Sequence, residues 1–203
     1  MLITTDRLVL RRFRLEDAAA LAAYRSIPEV ARYQSWSTPY SLDKARYAVQ
    51  TMVAADPTMP GWFQYAVELP DGPGGGLGGG VAGGLSGDFA GGLAGGGKLI
   101  GDVGVNLADN LMQAEIGYTL RPDQQGHGYA TESVRAVLDH LFRVQRLHRV
   151  SAECDARNVR SARLLERVGF TREGLRRQHT WIKHEWTDDL LYGLLAEEWP
   201  TPH

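Results

Sequence analysis

Apolar and polar positions alternate through LITTDRLVLRRFR, with Leu8, Leu10 and Phe13 on one side, so residues 2–14 read as a strand. Leu15-Glu16-Asp17 opens an alanine-rich stretch that predicts a helix over roughly 15–26. A short helix is expected after Pro28, around Glu29–Tyr33. Ser41 suits the N-cap of SLDKARYAVQTMVAAD, whose apolar positions Leu42, Ala45, Val49, Met52 and Val53 recur at helical spacing. WFQYAVEL (62–69), GKLIGDVGVNL (97–107) and QAEIGYTL (113–120) are strand-like, the last set off by the turn residues Asp109-Asn110. The rhythm then changes. TESVRAVLDHLFRV (131–144) gathers Val134, Val137, Leu138, Leu141 and Phe142 on one helical face. HRVSAECDA (148–156) reads as a strand, and SARLLERVGF (161–170) as a short helix stopped at Gly169. FTREGLRRQ and LLYGLLAEEW (190–199) read as strands. In outline the order is a strand, two helices, three strands, then α-β-α-β-β. That suits an α/β chain of the mixed α+β kind, one sheet with helices on both faces.

One tract breaks the pattern. Fifteen of the 24 glycines lie between Gly72 and Gly97, in GGGLGGGVAGGLSGDFAGGLAGGG and its flanks. Leu77, Val81, Leu85, Phe89 and Leu93 stand four residues apart within it. That period nearly fits a helix, but glycine costs about 1 kcal/mol per residue against alanine there. The tract falls between two strand candidates, so it reads as the overgrown loop of a hairpin, tolerated because lengthening a loop costs little. A flap over an acceptor site, or a contact in a homodimer, is the other reading.

At 203 residues the chain is expected to form a single domain over 1–203, with 72–97 as a low-complexity insertion. A net charge of −2 without a basic block argues against a nucleic-acid partner. No run reaches the roughly 18 apolar residues of a membrane span. The N-terminus lacks the apolar core of a signal peptide, and the lone Cys154 cannot pair within the chain. A cytoplasmic location is the expectation. The histidines show no metal-ligand spacing and Cys154 has no cysteine partner, so no metal site is expected.

The segment richest in chemistry is RPDQQGHGYATES (121–133), between a strand and a helix. Gln125-Gly126-His127-Gly128-Tyr129-Ala130 places small residues where the backbone turns, so that N–H groups can crowd around an anion at a helix N-terminus. The other reading is a Gly-rich turn that merely opens the helix. It is not a Walker A loop, for no Gly-Lys-Ser/Thr follows.

QGHGYA matches the Q/R-x-x-G-x-G/A signature of the GNAT superfamily of acetyl-coenzyme A-dependent N-acetyltransferases. GHGYATES resembles the equivalent stretch of the RimJ/RimL branch, the ribosomal-protein N-terminal acetyltransferases and their relatives. TDRLVLRRF (5–13), AEIGYTL (114–120), NVRSARLLERVGF (158–170) with EGLRR (173–177), and DDLLYGLLAEEW resemble further segments of that branch in the same order. The resemblance spans nearly the whole chain except the Gly-rich tract. It implies the GNAT fold with splayed central strands. It implies a coenzyme A pyrophosphate held by backbone N–H groups of Gly126 to Ala130, flanked by Gln125 and Thr131. Pantetheine would lie along Tyr118, Thr119 and Leu120, with Asn158 bonding to it and Ser161 near the sulfur. The donor implied is acetyl-coenzyme A, with another acyl-coenzyme A such as succinyl left open. The acceptor would be a protein N-terminus or a small-molecule amine.

Direct attack by an amine needs a proton acceptor. Glu115 is one candidate, read otherwise as a solvated carboxylate on a strand. His179 is the second, read otherwise as a surface histidine; its neighbour Thr180 stands where some relatives have a glutamate. Many superfamily members protonate the thiolate with a tyrosine four residues before the Gly-Phe glycine. That position is Leu165 here, which leaves Ser161, otherwise a plain helix N-terminal serine. His127 sits where relatives carry lysine. Tyr33, Trp36 and Tyr40 either line the acceptor pocket or pack a helix pair, with packing favoured. A non-catalytic acyl-coenzyme A-binding sensor or scaffold is the alternative to an enzyme.

Overall fold

The computed structural model describes residues 2–70 and 97–200. Its N-terminus differs from the hydrophobic pattern. Residues 2–14 form two strands, β1 (Ile3–Thr4) and β2 (Val9–Arg12), antiparallel with Ile3 opposite Leu10. The reversal is closed by a hydroxyl. Leu8 N donates to Thr5 Oγ1 at 2.9 Å, and Thr5 N to Leu8 O at 2.9 Å.

A 3-10 turn, Leu15–Asp17, leads into α1 (Ala18–Arg25). The single turn α2 (Pro28–Ala31) begins with proline in its first turn, where a missing N–H costs nothing. Helix α3 (Leu42–Ala54) starts at Ser41, whose hydroxyl accepts from Lys44 N at 3.2 Å. Then come β3 (Gly61–Leu69), β4 (Lys98–Leu107), β5 (Gln113–Leu120), α4 (Tyr129–Asp139), β6 (Arg149–Asp155), α5 (Val159–Val168), β7 (Thr171–Ile182) and β8 (Glu185–Leu195). α4 runs on into a π-helical turn, His140–Val144. Gly169, at φ +108°, ends α5. β7 and β8 exceed the pattern because WIKHEW closes a tight hairpin between them, Trp181 opposite Trp186.

The sheet runs β1-β2-β3-β4-β5-β6-β8-β7. Neighbours are antiparallel except β5 and β6, which are parallel. β3 and β4 end opposite one another at Leu69 and Lys98. The Gly-rich tract joins these two neighbours, and its apolar repeat from Leu77 to Leu93 lies outside the described residues.

Alternation along the strands sorts side chains onto two faces. Val105, Ile116, Val150, Ala152 and Tyr192 pack against Val134, Val137 and Leu138 of α4 and Leu164, Leu165 and Val168 of α5. Leu138 and Leu165, at 0 % and 1 % exposure, are each worth about 1.5–3 kcal/mol of burial. On the opposite face Leu21 and Tyr24 of α1 and Ala45, Val49 and Met52 of α3 cover Ala66 of β3 and Leu99 of β4. That second cluster takes no residue from β5, β6 or β8, so this half of the sheet presents polar side chains instead.

Candidate active site

The parallel pair β5–β6 is joined only from Gln113–Ile116 to Arg149–Ala152. Beyond it the strands part. Gly117 to Leu120 pair with β4 alone, at Gly104 to Gly101, and Glu153 to Asp155 pair with β8 alone, at Leu191 to Asp189. Two strand edges therefore face each other with main-chain groups unclaimed on that side, which is room for an extended, amide-bearing ligand. At Gly117 a Cβ would meet nothing within 4 Å, so the Glu115 face of the sheet is open beside the gap.

At the end of β5 the chain turns through a short 3-10 segment, Pro122–Gln124, into the Gly-rich loop and α4. Gly126 and Gly128 both take φ +82°, the left-handed region that costs a side-chain-bearing residue about 1–2 kcal/mol. Left-handed residues in a turn can make successive N–H groups converge into an anion-binding concavity. Gln125 N donates to Pro122 O at 3.2 Å, and the next backbone donation along the loop is Glu132 N to Gly128 O at 3.0 Å. Between them, the N–H groups of Gly126 to Thr131 meet no backbone carbonyl among the described residues. Donors without acceptors at the N-terminus of an eleven-residue helix fit a pyrophosphate. Gln125 braces the loop: its Nε2 donates to Leu120 O at 3.1 Å and its Oε1 accepts from Arg160 Nη1 at 2.9 Å. His127 stacks on Tyr129, rings 5.6 Å apart.

On the α4/α5 face of the gap, Tyr118, Cys154 and Ser161 form a cluster. The Tyr118 hydroxyl lies 2.7 Å from Ser161 Oγ, where either oxygen can donate, and within 3.1 Å of Ser161 O, so its one proton has two acceptors to choose between. Burial raises the Tyr118 phenol well above its ordinary range, so it stays protonated. Burial also pushes the Cys154 thiol up to about 11, against a hydrogen bond with Ser161. Asn158 is the N-cap of α5, its Oδ1 accepting from Ser161 N at 3.2 Å. Its amide NH2 is not spent on that bond. Leu165 is buried in the core, far from a role in proton transfer.

The opposite face carries Glu115, Ser151, Glu153 and Asp189. Glu115 has its pKa raised, by burial first and then by the Glu153 carboxylate, with Arg176 pulling the other way. Arg176 is engaged with Glu153 at 2.9 Å. Among the described residues Glu115 has no ion pair of its own.

His179 sits elsewhere. Between Arg176 and Thr180 the β7–β8 register slips, and the bulge turns His179 Nδ1 to within 3.0 Å of Asp189 Oδ2, which Thr180 Oγ1 also reaches at 2.6 Å. Asp189 is opposite Asp155, four residues along β6 from the Glu115 partner Ser151 and one strand further across. Strand spacings put His179 on the order of 15 Å from Glu115. The structure thus separates the two candidate bases, while Ser161 lies on the far face from both.

Trp36 and Tyr40 grip Arg25, whose guanidinium carbon is 4.3 Å and 5.5 Å from their ring centres, and Trp36 Nε1 donates to Arg25 O at 3.1 Å. They pack the helices, as favoured from sequence. Tyr33 instead reaches the turn after β6, donating to Arg157 O at 3.3 Å. Sequence reasoning passed over the Tyr118 hydroxyl, having placed only its backbone along the ligand, and over Arg7 and Glu132. Among the described residues no group of three or more His, Cys, Asp or Glu side chains could hold a metal ion, and no helix is long and apolar enough to cross a membrane.

Two parted strands with a helix-capped anion cradle at their end are the frame of an acyl-coenzyme A transferase. The acetyltransferase (GNAT) domain profile matches residues 7–171, and the chain belongs to that family of acetyl-coenzyme A-dependent acyltransferases. It is 30% identical to the uncharacterized N-acetyltransferase p20 of Bacillus licheniformis, over 96% of both chains. It is 33% identical to the [ribosomal protein uS5]-alanine N-acetyltransferase of Escherichia coli K12, over 41% of this chain and 43% of that one, in line with the RimJ/RimL-like branch. The crystal structure of a GNAT-family acetyltransferase from Bacillus anthracis superposes with a TM-score of 0.78 at 26% identity, covering 98% of this chain and 100% of that one.

Proposed function

We propose that this protein moves the acetyl group of acetyl-coenzyme A onto a primary amine, of a protein N-terminus or a small molecule, by direct attack across the β5–β6 gap. The observation that carries this reading is the two-faced gap: an anion cradle and a hydroxyl cluster on one side, an unpaired carboxylate on the other. Bound acetyl-coenzyme A supplies a thioester carbon, at which a C–N bond forms as the C–S bond breaks. The Gly126–Ala130 N–H groups, with Gln125 and Thr131 at their flanks, hold the pyrophosphate. The edge of Tyr118, Thr119 and Leu120 and the Asn158 amide hold pantetheine. Ser161, backed by the Tyr118 phenol, donates to the sulfur as it becomes a thiolate.

Glu115 takes the proton that the attacking amine must lose. Its raised pKa is the direction that suits a base working near neutrality. His179, tied to Asp189, stands too far from Glu115 to share that task. A cytoplasmic setting fits this reading. The test is release of coenzyme A thiol from acetyl-coenzyme A and from succinyl-coenzyme A, against a panel of amines and peptides with unblocked N-termini. Turnover with at least one acceptor is expected. Tight cofactor binding with no turnover of any acceptor would return the non-catalytic binding module.

A further inference from the structure

We infer that Arg7 and Glu132 form a clamp that fixes the peptide orientation of the phosphate-binding loop, which makes Arg7 a positioning residue for the acyl donor. This rests on the cofactor reading above. Arg7 lies in the turn between β1 and β2, remote in sequence from the loop. Glu132, in the first turn of α4, gathers that turn around its carboxylate. Its Oε1 accepts from Thr5 Oγ1 at 2.5 Å and from Arg7 N at 3.1 Å. Its Oε2 accepts from Arg7 Nε at 2.8 Å and pairs with Arg7 Nη2 at 2.6 Å. Partial burial pulls the Glu132 pKa upward, but these hydrogen bonds outweigh it and hold it below the ordinary carboxylate range.

The guanidinium so placed does two things to the loop. It lies 4.7 Å from the centre of the Tyr129 ring. Its Nη1 donates to His127 O at 2.9 Å. A trans peptide is planar, with its C=O and N–H opposed. Drawing His127 O toward Arg7 therefore turns Gly128 N–H away from Arg7. A Cβ on Gly128 would lie 3.4 Å from Arg7 Nη2, so the guanidinium is packed directly behind that residue.

The need for such a brace follows from the loop's own composition. Gly126 and Gly128 supply the left-handed conformations the cradle requires, but glycine crosses between backbone regions at little cost. A loop of this kind left to itself spreads its N–H groups over several orientations, and a ligand must then select among them. Arg7 Nε and Nη2 on Glu132 Oε2, with Arg7 N on Oε1, limit that freedom before the ligand arrives. Arg7 directs three of its five N–H donors to Glu132 and His127 O and packs behind Gly128, so it acts from behind the cradle.

The test compares two donors in the full-length protein. Arg7→Ala should weaken coenzyme A binding, measured by calorimetry, by about tenfold or more, the scale of a charge-assisted hydrogen bond. Turnover of S-acetylpantetheine, which carries no pyrophosphate, should stay within about twofold of the parent with the same amine. Glu132→Gln should show the same contrast, and it supplies the test if Arg7→Ala does not fold. Loss of both donors alike, or unchanged coenzyme A affinity, overturns the clamp. Failure of the parent protein to bind coenzyme A overturns the cofactor reading itself, and is seen before any variant is made.

Discussion

On the proposed reading Glu115 is the base on the open face, and its environment sets two opposite expectations for one substitution. A base must be ionised, and burial beside Glu153 raises the Glu115 pKa. Glu115→Gln should lower kcat by about 100-fold or more and remove the acid limb from the pH profile of kcat/KM, whereas His179→Gln should leave that limb in place. Stability should move the other way. A carboxylate whose pKa is raised by folding is disfavoured when charged, so the native state loses stability as pH rises through that raised value. The glutamine variant escapes the loss. It should melt above the parent at neutral pH, with the difference closing below the ordinary carboxylate value of about 4.3. A variant that melts at the parent temperature throughout, with full activity, would leave Glu115 a solvated surface group. Glu115 was legible in the sequence because strand alternation with Ala114 and Ile116 put it on the polar face. Arg7 was not. The Thr5–Leu8 reversal contains neither glycine nor proline, so residues 2–14 passed for one strand and the partners of Arg7 stayed hidden.

At the scale of elements, α5 carries two duties at one residue. Asn158 caps the helix with its Oδ1, and on the proposed reading its amide nitrogen donates to pantetheine. Asp and Asn cap equally well, whereas Ala costs about 1 kcal/mol. Asn158→Ala should therefore lower the melting temperature and raise KM for acetyl-coenzyme A together. Asn158→Asp should keep the melting temperature while still raising that KM, because only the N–H donor is lost. If the aspartate variant keeps the parent KM, Asn158 serves the helix alone. Elements with a buried face were legible: β5 matched its sequence boundaries, and Ser41 and Gly169 marked helix ends through caps that act locally. β7 was cut short because it is an edge strand, almost wholly exposed, and a strand with no buried side need show no period of two. The parting of β5 from β6 left no composition signal either, since both strands pair well with their outer neighbours.

For the whole molecule, the pairing of Leu69 with Lys98 bears on the Gly-rich tract without any description of the tract itself. Replacing residues 70–97 by Asn-Gly closes the β3–β4 ribbon with a two-residue turn suited to its twist. The product should fold, melt at or slightly above the parent temperature because the closed loop is shorter, and bind coenzyme A as before. A chain that fails to fold would assign the Leu77-to-Leu93 repeat to the core, and a higher KM for the amine alone would make the tract a flap. On the proposed reading the parted strands would also govern traffic. Acyl donor and amine would come to the gap from opposite sides of the sheet, and would leave as thiol and amide the same way. Neither product would lie in the other's path, so no order of departure would be imposed. Such a protein would need no acyl group parked on its own side chains between visits, because both customers could stand at the same counter at once, one on each side.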